Sequence, residues 1–486
     1  MTFSFTSSMI MAVLPEILLL LLGIIVLIVD LLLKEEKRRN LGWLTAGGLL
    51  TILIVSLLVA RPSEAELVWG GMVRYDGMGF FFKMLFIFAA AMTSLFMMDH
   101  KALGHRGEAY LLLLASTLGM SLMASASDII MLYLAIETTS IPLYILAGFM
   151  TGDDRSTEAG FKYLLFGALT STVMLYGLSL LYGFSGGVTN IYEIGELVAS
   201  GALAPLLVAG VAMLILVGIG FKVSIFPFHF WAPDVYDGSP TPISGFLSTA
   251  SKAAGFAILL RLFLVAFPQI SLSWSLLLAV MATLAMTLGN LVAMAQTNIK
   301  RLLAYSSIAH AGYAMIGLVA VSELGTTSTI FYLMAYILTN LAAFGIVAAV
   351  SHVTGSDEIK DYSGLSRRSP GLALAMLVAF LSLAGMPPFG GFVAKVFVFA
   401  AAMEANLVWL VVVGVLNSIV GVFYYLTVLK YVYLYRMEDE DEEKHPIPLS
   451  LSYAIALTVL SIGILLVGTL FAPWFGFSGA AAIALF

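Results

Sequence analysis

Along this chain the apolar positions follow neither the two-residue beat of a half-buried strand nor the one-sided stripe of a surface helix. They form long unbroken runs separated by short polar punctuation, the signature of helices that are apolar all round. Fourteen runs are visible, near 9–33, 41–60, 78–98, 108–125, 128–150, 159–184, 204–228, 241–267, 273–296, 302–322, 327–353, 371–403, 406–435 and 449–472. Each matches the length a helix needs to cross a bilayer. The first run is too long for a signal-peptide core and follows no basic region, so it reads as a retained helix. No connection is long enough to fold a soluble domain or hold a nucleotide, and the stretch 436–448 reads as a linker. The pattern predicts an all-α polytopic membrane protein, one integral domain over 1–486.

Charge then orients the predicted helices. Of 23 Lys and Arg, fourteen fall in alternate loops, at 34–39, 101–106, Arg155, Lys300–Arg301, Lys360 with Arg367–Arg368, and Arg436 with Lys444. The opposite side has only Arg61 and Arg74. The positive-inside rule makes the rich side cytoplasmic, so both termini of a fourteen-span chain are expected outside. Seven basic residues remain within spans: Lys83, Lys162, Lys222, Lys252, Arg261, Lys395 and Lys430.

Composition excludes several classes. The 486 residues are 61% hydrophobic and 11% charged, far below the roughly 25% charged of a soluble domain. There is no cysteine, hence no disulfide and no cysteine-ligated cluster. The six histidines show no paired spacing suited to haem or metal, and no GxGxxG or P-loop supports nucleotide binding. The net charge of −6 owes much to the acidic run at 438–443.

Two spans carry helix breakers. "GSPTPISGFL" (238–247) places Pro240 and Pro242 at the mouth of the eighth, and "AGMPPFGGFVAK" (384–395) places Pro387 and Pro388 within the twelfth, just before Lys395. Backbone freed at membrane depth survives only where protein or water satisfies it. Interrupted helices in matching places point to an inverted-repeat transporter and its ion site. Lys222 and Lys395 each fall in the fourth helix of a candidate five-helix unit, 108–267 and 273–435.

A mid-membrane lysine costs roughly 2.5–3.5 kcal/mol on insertion scales, so Lys222, Lys252 and Lys395 together cost roughly 8–10 kcal/mol. All three lie too deep to snorkel easily. Desolvation pulls a buried amine toward neutral-pH titration, which a proton carrier requires. Glu137, in "MLYLAIETTSIPLYIL", is the expected counter-charge, most simply for Lys222; the bland alternative is a carboxylate that only hydrogen-bonds its neighbours. Lys162 is expected to modulate that pair, and His229 and His310 ("SSIAHAGY") to be further links, although a lone membrane histidine more often just packs. Lys83, Arg261 and Lys430 read as anchors or helix-end charges, and Glu404 as facing water. Nearby Ser, Thr and Tyr supply hydroxyls, none singled out.

Three long stretches, "GFKVSIFPFHFWAPDVYDGSPTPISGFLSTASK" (220–252), "AMAQTNIKRLLAYSSIAHAGY" (293–313) and "LSLAGMPPFGGFVAK" (381–395), resemble the antiporter-like subunits of respiratory complex I. The segment "WAPDVYDGSPTP" is similar to the N type within that group and not to the L or M types. The resemblance covers essentially the whole chain. It implies two inverted five-helix repeats, each with a broken helix, and a hydrophilic axis along the membrane plane. It further implies proton translocation coupled to NADH:quinone oxidoreduction, with Glu137 and Lys222 as a carboxylate–lysine pair, Lys252 as central relay and Lys395 as terminal lysine. No cofactor is expected in this chain; NAD, FMN, iron–sulfur clusters and quinone would belong to partner subunits. Expected partners are the other membrane-arm subunits, including the M type and the small membrane subunits, and the lipid bilayer, with no nucleic acid. A bacterial plasma membrane is the expected location. Alternatives on the same fold are a subunit of a Mrp-type cation/proton antiporter or of a membrane-bound hydrogenase. Further alternatives are a solitary solute carrier and a structural spacer.

Overall fold

The computed structural model describes residues 6–436 and 446–485; the acidic run 438–443, Lys444 and His445 lie outside them. A short α1 (Ser7–Ala12) leads into α2 (Leu14–Leu32), and a basic turn over 35–40 returns the chain into α3 (Leu41–Val59). Strands β1 (Glu66–Val68) and β2 (Val73–Tyr75) pair antiparallel with Leu67 opposite Arg74. Asp76 then caps α4 (Gly77–Met97), its carboxylate accepting from the Gly79 N–H at 2.7 Å. Next come α5 (Gly107–Ser125), α6 (Ile129–Ala147), α7 (Asp154–Phe184), the short α8 (Ile191–Ala199) and α9 (Pro205–Val223). After a break stand α10 (Trp231–Gly238), α11 (Thr241–Phe246) and α12 (Lys252–Val265). The remainder is α13 (Ser271–Met294), α14 (Ile299–Val319), α15 (Glu323–Thr354), α16 (Leu365–Arg368), α17 (Pro370–Ala384), α18 (Gly390–Glu404), α19 (Val408–Tyr433), α20 (Leu451–Thr469) and α21 (Phe471–Ala482).

Among the described residues, 13 helical segments are long and apolar enough to cross a membrane. The two halves α17 and α18, counted together as one interrupted crossing, make the expected fourteen. The crossings form two layers. The most apolar windows of α4, α14, α15 and the α11–α12 segment are 89–94% buried, whereas those of α2, α3, α7 and α19 are one-third buried. Polar side chains on the inner file therefore face protein rather than lipid. The hub is α15, which touches α4, α11, α14, α17, α18 and α20.

Two backbone clamps of the same design fix helix heads. The Ile129 N–H donates to the Thr189 carbonyl (2.9 Å) and the Ile191 N–H to the Ser127 carbonyl (2.8 Å). Equally, the Ile299 N–H donates to the Asp357 carbonyl and the Ile359 N–H to the Thr297 carbonyl, both at 2.8 Å. Asp128 and Asn298 cap the helices so held, α6 and α14.

The breaks fall partly elsewhere than the prolines suggested. Pro240 and Pro242 stand at the head of α11, where a missing N–H is harmless. The interruption in that half is at 224–230, around Pro227, and the eighth span instead carries a π turn over 247–251 that runs straight into Lys252. Pro387 and Pro388 do lie between α17 and α18. Two basic residues taken for anchors are inside the protein: Lys83 pairs with Glu16 at 2.8 Å, and Arg261 pairs with Asp76 at 2.7 Å. Both acids come from sequence-distant elements, so no local pattern announces the pairs.

Candidate functional site

Lys222 occupies the last turn of α9, which ends at Ser224 in the left-handed region. The break leaves carbonyls without helical donors, and Trp231 Nε1 supplies one, to the Phe221 carbonyl at 3.1 Å. The Lys222 ammonium donates to Ser140 Oγ at 2.9 Å. Ser140 is one turn along α6 from Glu137, whose Oε1 accepts from Ser171 Oγ of α7 at 2.6 Å. Glu137 and Lys222 thus share a hydroxyl-lined seam of α6, α7 and α9 without forming a direct ion pair. Glu137 is only half-buried on the flank of the bundle, while Lys222 is buried.

Lys162 does not join that seam. Its ammonium lies 2.6 Å from Glu158 and 2.7 Å from Asp234, and Asp234 also accepts from Arg301 at 3.0 Å. Its contacts form a half-exposed ionic lattice tying α7, α10 and α14 together. The i,i+4 spacing from Glu158 was the readable signal. His229 sits in the 224–230 break, stacked between Phe226 and Phe230, with Nδ1 buried and unpartnered among the described residues.

Lys252 leads to the second half. Its ammonium donates to the Ser307 carbonyl at 2.8 Å and to Ser307 Oγ at 3.0 Å. Gly255, one turn on, brings α12 against the Lys222 stem: a Cβ there would meet Val223 at 2.7 Å and Lys222 Cγ at 3.2 Å. The Tyr236 hydroxyl lies beside both Ser224 and Ser307 but in hydrogen-bond geometry to neither.

From Ser307 the polar file continues along one face of α14, because Ser307, His310 and Tyr313 recur every three residues. His310 Nδ1 lies 2.6 Å from the Tyr332 hydroxyl and Nε2 3.2 Å from the Tyr425 hydroxyl. Tyr425 in turn bonds Ser306. Tyr313 meets Lys395, whose Nζ is 4.8 Å from the ring centroid. The same ammonium donates to the Ala384 carbonyl at 3.1 Å and the Leu383 carbonyl at 3.3 Å. These carbonyls end half-helix α17, where the dipole favours a cation. Between His310 and that break lies a cavity of about 10 Å³, lined by His310, Tyr332, Tyr336, Thr339, Ser382 and Leu383. Its size is at most that of a single water, and most of its lining is apolar.

The arrangement is therefore a file of amines, one imidazole and hydroxyls through the buried middle of the bundle. Such groups exchange protons by small rotations when water completes the contacts. Ser140, Ser171, Ser307, Tyr332 and Tyr425 were not legible as members, because each is an ordinary packing residue until the fold brings a partner to it. Among the described residues, no group of three or more His, Cys, Asp or Glu is placed to hold a metal.

Residues 126–421 match the family model described as NADH:quinone oxidoreductase/Mrp antiporter, TM. NADH-quinone oxidoreductase subunit N of Moorella thermoacetica is 48% identical over 398 residues, spanning 82% of this chain and 83% of that one. A chain of respiratory complex I from Thermus thermophilus superposes with a TM-score of 0.80 at 34% identity, covering 95% of this chain and 98% of that one. A chain of the Mrp complex from Dietzia sp. superposes with a TM-score of 0.84 at 21% identity, covering 99% and 98%, a likeness of fold alone.

Proposed function

The chain belongs to the NADH:quinone oxidoreductase/Mrp antiporter transmembrane family, and from that premise we propose that it is the N-type, antiporter-like membrane subunit of a proton-pumping NADH:quinone oxidoreductase. In this reading it moves protons and performs no redox chemistry; NAD, FMN, iron–sulfur clusters and quinone belong to partner subunits. It sits in a bacterial plasma membrane with both termini outside, against the M-type and small membrane-arm subunits.

The organisation that supports this is two inverted five-helix units, 108–267 and 273–435. The two backbone clamps hold the second helix of each unit to the chain following the third. Five crossings separate them, so they lie on opposite membrane faces, as inversion requires.

The proton path runs from Lys222 to Lys252, then over Ser307 and His310 to Lys395. Quinone chemistry in a neighbouring subunit perturbs Glu137 electrostatically. Glu137 bonds Ser171 and Lys222 bonds Ser140, so the two act on each other through space and not through a direct contact, and a modest change of field or hydration shifts the proton toward Lys252. Moving one charge against 100 mV takes about 2.3 kcal/mol, within reach of one rearranged interaction in a low-dielectric interior. The observation carrying the reading is the succession of polar contacts from Lys252 at Ser307, through His310 and Tyr313 of α14, to Lys395 at the α17–α18 break.

The test is proton translocation by assembled complexes carrying Lys222→Ala or Lys395→Ala, reconstituted in vesicles. Loss of most translocation is expected in each. Full translocation by either overturns the path. For the Mrp-type alternative, cation/proton exchange without NADH would be the outcome.

A further inference from the structure

A cleft of about 540 Å³ opens where α3, α4, α15 and α20 end on the side of the basic loops. Arg39, Lys101, His105 and His352 line it, with Asp99 its only acid. Asp99 is already engaged: Arg39 donates to it at 2.6 Å and 2.9 Å, and the Ser450 hydroxyl bonds it from the head of α20. Lys101 is exposed and makes no ion pair within 4 Å among the described residues; on its other side it lines a cavity where Glu35, Glu36 and Glu108 stand among Lys34, Arg38 and Arg106. His100, beneath Lys101, is held down at about 4 by burial, with Lys300 and His352 adding to the effect. It is therefore a neutral floor, and the unbalanced charge belongs to the rim. The cleft fits one anionic group.

A second cavity, of about 470 Å³, is a groove between α17 and α20, lined by Leu372, Leu374, Val378, Leu457, Ile462 and Leu465. It is almost wholly apolar and runs at membrane depth, with Leu374 and Ile462 exposed along it. From Ala454 to Leu465 the helix rises roughly 16 Å, about the reach of a fatty acyl tail. Leu449 lines both the basic cleft and the apolar groove, which places the two side by side. A charged headgroup socket beside a tail-length apolar groove matches the two ends of one molecule.

We propose that the cleft and the groove together hold an anionic phospholipid, its phosphate against Lys101 and the cleft and one acyl tail along the α17–α20 groove. A soluble phosphate would use only the cleft, and a zwitterionic lipid would gain little from Lys101. Juxtamembrane basic residues contribute about 1 kcal/mol each toward anionic lipid, so losing Lys101 weakens retention about fivefold.

The test uses the assembled complex in phosphatidylcholine nanodiscs containing a minor fraction of phosphatidylglycerol with a photoreactive group on one acyl tail. Labelling is expected in residues 371–378 and 454–465, about fivefold weaker in Lys101→Ala, a surface change that does not disturb packing. Leu457→Trp, which fills the groove, is expected to abolish labelling there. Inorganic phosphate in excess is expected to leave it unchanged. Equal labelling by a phosphatidylcholine probe overturns the proposal, as does indifference to Lys101→Ala or displacement by phosphate. Cross-links from the groove to a neighbouring protein chain instead of lipid also overturn it.

Discussion

The Lys395 ammonium lies 4.8 Å from the centre of the Tyr313 ring while donating to the Ala384 carbonyl at 3.1 Å. It is thus held by a quadrupole and a helix end, neither of which is a fixed counter-charge. A cation stabilised in this way gives up its proton without leaving a bare carboxylate behind in the bilayer, as an ion-paired lysine would.

Gly385 makes that position possible. Its φ is +82°, and a Cβ there would come within 2.9 Å of Lys395 Cδ and 3.0 Å of Nζ. Gly385→Ala adds left-handed strain of about 1–2 kcal/mol and displaces the ammonium. Proton translocation is expected to fall while the complex still assembles, measured as vesicle acidification against subunit content. Wild-type acidification would show that Lys395 is not held where the chemistry needs it.

Ser140 is the only hydroxyl to which the Lys222 ammonium donates among the described residues. Ser140→Ala removes a hydrogen bond to a charge worth about 1.5–3 kcal/mol, enough to change a rate about tenfold or more. Ser140→Thr keeps the hydroxyl and is expected to retain most activity. Equal rates in the two variants would remove Ser140 from the path.

His310 bridges Tyr332 and Tyr425 at the middle of α14. His310→Phe fills the space and removes both nitrogens, so translocation is expected to collapse with little change in thermal stability. Tyr425→Phe leaves the Tyr332 contact and is expected to be milder. The opposite ranking would place the route on Tyr425.

Arg261 and Asp76 test the other kind of buried charge. The pair is bidentate, and Arg261 also donates to Tyr192 and to the Ala124 carbonyl, so every strong contact is structural. Asp76→Asn strands the guanidinium and is expected to cost about 3–5 kcal/mol. The readout is the melting temperature of the purified complex, with the surviving fraction pumping normally per quinone reduced.

His100 gives an acid-side signature. Its folded value, about 4, lies below its ordinary 6.5 because burial disfavours the charged imidazole, Lys300 and His352 adding to it. The unfolded chain therefore binds the extra proton first, and stability from this site is complete above 6.5 and declines as pH falls toward 4. His100→Gln is expected to flatten that part of the stability–pH curve. An unchanged slope would assign acid lability to other groups.

The crossings were legible because apolar run length is a one-dimensional signal, and fourteen runs became fourteen crossings. Glu137, Lys222, Lys252 and Lys395 stand out in the sequence as charges among apolar neighbours, and their role in proton transfer is a proposal. Their partners were not legible. Lys222 meets Ser140 from 82 positions away, and Lys252 meets Ser307 from 55 positions away. No periodicity encodes such pairings. Pro240 and Pro242 do lie at the mouth of the eighth crossing, but a proline's effect depends on whether its nitrogen falls inside a helix or at its head, and the interruption around Pro227 was not legible. For Lys162 the depth in the run was readable, but the arrival of Asp234 from α10 was not.

The central claim is that protons cross the middle of this subunit through Lys252, and the most direct test is the Lys252→Ala complex. Proton translocation and quinone reduction should be followed in the same vesicles, with assembly verified. Translocation per quinone reduced is expected to fall sharply, or both activities to stop together. An unchanged ratio at an unchanged turnover would contradict it.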